Sequence, residues 1–165
     1  MPAAAGRATG ITITRSYDYE LIRRIMTDPQ VYDGARDDHA PARDKFFPQE
    51  NDLILYLLAS KDNDTFGLFV VAPQTLTCWE IHTRMLPRAW GKYSVDAGKA
   101  VIQWIFQNTV CERLVSNVPA FHRAGLIYSL KCGLTPFGLN PRSFRKDGKL
   151  HDQTLVGISK EAVCL

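Results

Sequence analysis

Residues 11–14 alternate isoleucine and threonine, the period-two pattern of a strand with one face in a core. Tyr19, Ile22, Ile25 and Met26 then recur at helical spacing, which predicts a helix over residues 19–26. Pro29 suits the first turn of a second short helix that buries Val31 and Tyr32. Residues 34–48 are polar and broken by prolines, so they read as a loop. Residues 53–59 and 66–72 are nearly unbroken apolar runs, as strands buried on both faces should be. The segment KDNDT makes the turn between them. After a second turn at Pro73 and Gln74, residues 75–85 form a third strand of a meander.

The period then changes. Ser94 can cap a helix reaching Asn108, with Val95, Val101, Ile102, Ile105 and Phe106 apolar. Residues 114–118 read as a strand and residues 120–131 as a helix that Gly133 stops. Residues 134–139 form a short strand, RKDGK a turn, and residues 154–158 a last strand. The order β-α-α-β-β-β-α-β-α-β-β describes one α/β domain over residues 10–165, after a flexible leader at residues 1–9.

Composition changes this picture little. With 165 residues, 45% of them hydrophobic, the chain can bury one core without staples. The four cysteines are scattered, which speaks against a disulfide framework or zinc site and suits a cytoplasmic protein. The longest apolar run is too short to cross a membrane. A net charge of +3 can attract an acidic ligand but makes nucleic acid an unlikely partner.

Three local features carry a resemblance. The strand at residues 75–85 ends in Leu86, Pro87 and a basic, glycine-containing loop, RAWGKYS, that opens a helix. The helix at residues 120–131 ends in Lys131-Cys132-Gly133-Leu134, similar to a K-x-G-F closing signature. Gly138 and a turn precede the last strand. In this order they resemble the GNAT-type N-acetyltransferase superfamily, and they are compatible with the small GNAT-like proteins of tailed phages. The resemblance implies a mixed, mostly antiparallel sheet of six to seven strands flanked by about four helices. It implies acetyl-CoA as co-substrate, an amine of a small molecule or protein as acceptor, and no metal. The phage-type alternative implies a catalytically inactive fold used for protein contact in virion assembly, in the host cytoplasm or the virion.

A pyrophosphate at such a loop needs backbone N–H donors at a helix start. The resemblance assigns cofactor contacts to Met85, Arg88, Gly91, Lys92, Tyr93, Ser94 and His122. Where the family carries R-G-x-G-x-G/A, this chain keeps Gly91 and sets a bulky Tyr93 near the phosphate position. Direct acetyl transfer needs a base for the ammonium proton and an acid for the thiolate. Glu80 and His82 share one strand face, and either serves as base; Arg84 follows on that face. The family's acidic tyrosine falls at Ser129, with Tyr128 one helical step of about 100° away. The loop residues Asp37, Asp38, His39 and Asp44 match no metal spacing but could draw an amine, and Arg142, Arg145, Lys146 and Lys149 read as a solvated basic turn.

Overall fold

The computed structural model describes residues 9–163, so the leader expected at residues 1–9 lies outside the described residues save for Thr9. The elements are β1 (Ile11–Arg15), α1 (Tyr19–Met26), α2 (Pro29–Ala35), β2 (Leu55–Lys61), β3 (Asp64–Pro73), β4 (Cys78–Met85), α3 (Ser94–Asn108), β5 (Arg113–Pro119), α4 (Arg123–Lys131), β6 (Thr135–Lys146) and β7 (Lys149–Ser159). The strands form one seven-stranded sheet in the order β1-β2-β3-β4-β5-β7-β6. Neighbours pair antiparallel except β4 and β5, which run parallel.

Both sheet faces are covered, and this explains the unbroken apolar runs. Leu57, Phe69, Val71 and Ile81 face α3, joining Val101, Ile105 and Phe106 in the larger core. Tyr56 and Leu68 point the other way, onto Ile22 and Ile25 of α1. Each such fully buried aliphatic or aromatic side chain contributes about 1.5–3 kcal/mol over its exposed state. Asp18 and Asp28 cap α1 and α2 by accepting from backbone N–H groups in their first turns.

Several boundaries differ from expectation, each for a local reason. The strand expected at residue 53 begins at Leu55, because the Asn51 carboxamide takes the Leu53 N–H at 2.8 Å in an Asx turn. β4 begins at Cys78 rather than residue 75, since Gln74 and Thr75 both donate to the Cys78 carbonyl. α4 begins at Arg123, because the Ala120 N–H bonds the Asp152 carbonyl across to β7. β6 and β7 run well past their apolar segments as a two-stranded ribbon, which has no core face to imprint a pattern. Its tip is Asp147-Gly148, both at positive φ, as a tight hairpin turn requires. The tip folds back onto the α2 end: Asp38 Oδ1 and Oδ2 accept from the N–H of Asp147 and Gly148 at 2.8 Å, and Lys146 Nζ donates to the carbonyls of Asp33 and Arg36 at 2.8 Å.

Candidate functional site

The parallel pairing of β4 and β5 covers only Cys78 with Arg113, Trp79 with Leu114, and Glu80 with Val115. Beyond Glu80 the strands separate, leaving residues 81–85 of β4 and 116–119 of β5 unpaired with each other. This leaves a V-shaped gap in mid-sheet. Side chains alternate along β4, so the gap has two walls of different character. Glu80, His82 and Arg84 lie opposite Ala72, Val70 and Leu68 of β3 and therefore share the α1 face. Ile81, Thr83 and Met85 share the α3 face.

On the first wall Glu80 is a held carboxylate. Its Oε1 lies 3.2 Å from His82 Nε2 and accepts from Asn117 Nδ2 at 3.1 Å, while Oε2 accepts from Gln74 Nε2 at 3.1 Å. The His82 hydrogen bond, against some desolvation, holds the Glu80 carboxyl below the usual carboxylate range. Arg84 stands further along, half-buried, and donates to the neighbouring Thr83 carbonyl at 2.9 Å. Burial pushes its pKa down to about 10.

On the second wall Tyr128 of α4 reaches under α3. A Cβ on Gly98 would lie 2.6 Å from the Tyr128 hydroxyl and 2.4 Å from Cys132 Sγ, so only glycine leaves room there. The hydroxyl is buried and, among the described residues, has no partner in hydrogen-bond geometry. Thr83 and Cys132 border it, yet neither meets hydrogen-bond geometry. Desolvation raises the Tyr128 pKa well above its ordinary value and Cys132 to about 11, so both stay protonated at neutral pH. A cavity of about 20 Å³ remains between Tyr128, Thr83 and Ser116. Ser129, by contrast, bonds the Gly125 carbonyl within its own helix at 2.9 Å. Both acid candidates, Tyr128 and Ser129, line this cavity. Tyr128, one helical step from Ser129, faces Gly98 of α3. That orientation is fixed at the helix end, where Gly133 (φ +100°) donates to Leu130 and Leu134 donates to Ser129 in a Schellman closure.

The loop after β4 contains a 3-10 turn at Pro87–Ala89, then Gly91 at φ +68° with open space about it. Tyr93 is the N-cap of α3, and its side chain makes no capping hydrogen bond to the first-turn N–H groups. The Tyr93 ring does not crowd them. It lies on Phe66, with ring centroids 5.4 Å apart, and has Lys61 Nζ and Lys92 Nζ at 4.8 and 4.9 Å from its centroid. Lys92 thus stands at the helix start with Lys61, which the sequence reading missed because it comes from the β2–β3 turn. Arg88 points away, engaged with Asp64 at 2.9 Å and the Thr65 carbonyl at 2.7 Å. The Met85 carbonyl accepts from the Trp90 indole at 2.9 Å. His122 precedes α4 with its ring packed against Gly125, and burial lowers its pKa from 6.5. Asn117 and Gln74 also escaped the sequence reading, since neither sits in a motif; only the register of β5 and the turn before β4 bring them to Glu80.

Among the described residues no group of three or more His, Cys, Asp or Glu could hold a metal ion, and no helix is long and apolar enough to cross a membrane. The model of a family described as "Protein of unknown function (DUF2824)" matches residues 39–163. No curated protein matches the chain. Solved structures do. A spermidine N-acetyltransferase SpeG chimera from Vibrio cholerae and hSSAT superposes with a TM-score of 0.77 at 12% identity, covering 93% of this chain and 97% of that one. The Vibrio cholerae spermidine N-acetyltransferase in complex with CoA and spermine gives 0.72 at 13% identity, with the same coverage. A point mutant of SpeG gives 0.74 at 10% identity over 93% and 95% of the two chains. At such identities the likeness establishes the acetyltransferase fold.

Proposed function

Starting from the premise that the chain belongs to the family described as protein of unknown function (DUF2824), we propose that it is an acetyl-CoA-dependent N-acetyltransferase acting on an amine. The observation that carries this reading is the gap where β4 leaves β5 just past Glu80. It sets a carboxylate–imidazole pair on one side and a buried phenol on the other. The fold neighbours include an enzyme solved with CoA and a polyamine, which supports the same reading.

In this proposal the first-turn N–H groups of α3, with Lys92 and Lys61, hold the pyrophosphate. Gly91 lets the backbone approach it. The amine nitrogen attacks the thioester carbonyl, and the Glu80–His82 pair takes the ammonium proton, directly or through water. The carbon–sulfur bond then breaks, and Tyr128 gives its proton to the departing thiolate. Burial keeps that phenol protonated at neutral pH and makes it a weaker acid than an ordinary tyrosine, so the transfer depends on the thiolate forming beside it. Cys132, with its pKa near 11, is a poor nucleophile, which favours direct transfer over an acetyl-cysteine intermediate.

Thermal denaturation with acetyl-CoA tests the reading. At about 100 times Kd the ligand should stabilise the fold by about 2.7 kcal/mol. For a chain of this size that is a rise of roughly 5–11 °C in Tm. An unchanged Tm at saturating acetyl-CoA would sink the proposal.

A different observation favours a second reading, in which the fold serves protein contact as in virion assembly. β6 is the sheet edge, and Phe137 and Leu139 on it are exposed, as are Ile127 and Leu130 on α4. That reading predicts a stable complex with a partner protein while acetyl-CoA leaves Tm unmoved.

A further inference from the structure

The α1 wall of the gap carries a cation without a counter-charge. Arg84 follows Glu80 and His82 on one face of β4, two residues past His82. Its guanidinium has five N–H donors. Among the described residues its hydrogen bond is the one from Nη1 to the Thr83 carbonyl at 2.9 Å, and no carboxylate comes within ion-pair distance. Its β3 neighbour on that face is Leu68, packed against Ile22 and Ile25 of α1. On the other side β5 has diverged, so Arg84 lies on the stretch of β4 that edges the opening. A half-buried guanidinium with an apolar flank and no partner is costly unless an anion completes it.

Resting on the acetyltransferase reading, we infer that Arg84 binds an anionic group of the acceptor, so that the acceptor is an amine bearing a carboxylate or phosphate rather than a polyamine. The spacing gives the size of that molecule. Alternate residues on a strand lie about 7 Å apart, so an amine beside the His82–Glu80 pair and an anion at Arg84 are about one extended dipeptide apart. A polyamine would bring its cations beside Arg84, a like-charge contact the site gives no means to offset. The fold neighbours named for spermidine therefore share the architecture with this chain and differ from it in acceptor charge.

Matched acceptors test this. CoA release is measured with glycylglycine against its C-terminal amide, phosphoethanolamine against ethanolamine, and spermidine. The charged member of each pair should win. Arg84→Gln should lower kcat/KM for that member by about 10- to 100-fold, the loss of one charge-assisted hydrogen-bonded contact, and change the neutral member by less than about twofold. Arg84→Lys should restore part of the preference, and cooperative melting at or above the wild-type Tm would show that both variants fold. Spermidine winning, or Arg84→Gln leaving the preference intact, overturns the inference while acetyl transfer stands. A second readout does not depend on turnover: the Arg84 Nε–H resonance, followed by NMR as inorganic phosphate or acetate is added. A saturable shift supports anion binding at Arg84, and no shift overturns it whether or not acetyl-CoA binds. A shift with CoA but none with pantetheine would give the anion to the CoA phosphates and overturn the acceptor assignment.

Discussion

Replacing Tyr128 with phenylalanine should move stability and activity in opposite directions. A buried hydroxyl with a partner contributes about 1 kcal/mol, and its removal destabilises. Among the described residues no group meets hydrogen-bond geometry with the Tyr128 hydroxyl, and a buried hydroxyl left so costs about 1–3 kcal/mol of desolvation. Phenylalanine removes the group and keeps the ring against Gly98 and Cys132. Tyr128→Phe should therefore raise the stability of the ligand-free protein by about 1 kcal/mol, which is roughly 2–4 °C in Tm. Loss of a general acid should lower kcat by about 10²- to 10⁴-fold. Calorimetric melts of both proteins, with and without saturating acetyl-CoA, separate the terms. If the thiol or thioester supplies the missing partner, the advantage of the variant should shrink or reverse with ligand. A Tyr128→Phe protein that melts below wild type without ligand would mean that the hydroxyl is satisfied, and would remove the argument that it waits for a substrate.

Other perturbations follow from the same geometry. Gly98→Ala puts a methyl where the Tyr128 hydroxyl and Cys132 Sγ lie; it should cost about 1–3 kcal/mol by overpacking, read by urea denaturation, and Gly98→Ala/Tyr128→Phe should recover part of the loss. The Glu80 pKa is depressed on folding by His82, so its contribution is present above the ordinary glutamate range and is lost as pH falls through the folded value; wild type should lose more stability than Glu80→Gln on titration below about pH 4.5. Burial depresses His122 as well, but a histidine with a lowered pKa costs stability on the acid side: wild type should weaken as pH falls below 6.5, and His122→Asn should flatten that limb of the melting curve. Asp38→Asn should speed amide exchange at Asp147 and Gly148 while leaving the core strands unchanged.

The element order and the apolar runs of β2 and β3 were legible because both sheet faces are covered, by α1 on one side and α3 on the other. Gly133 was legible as a helix stop because the positive φ of the closing turn requires a residue without a Cβ. The outer halves of β6 and β7 were not, since a two-stranded ribbon of polar residues has no buried face to set a period. The candidate site was legible in its geometry along one strand, where period two puts Glu80, His82 and Arg84 on one face. It was illegible where distant elements converge: the hold of Asn117 on Glu80 spans 37 positions, and no local pattern announces it. Tyr128 illustrates a finer limit. Counting back from Gly133 marks Ser129, with Tyr128 beside it, and only the packing across from Gly98 shows that Tyr128 faces α3.

The contact between the ribbon tip and the α2 end has a consequence for how this region can diverge. Each partner reads the other's main chain: the Asp38 carboxylate binds two backbone amides, and the Lys146 ammonium binds two backbone carbonyls. The side chains of Asp33 and Arg36 are therefore not read by this junction, while Asp147 is limited by its positive φ. Two side chains and a glycine turn hold it, so its surroundings can change sequence without releasing the ribbon.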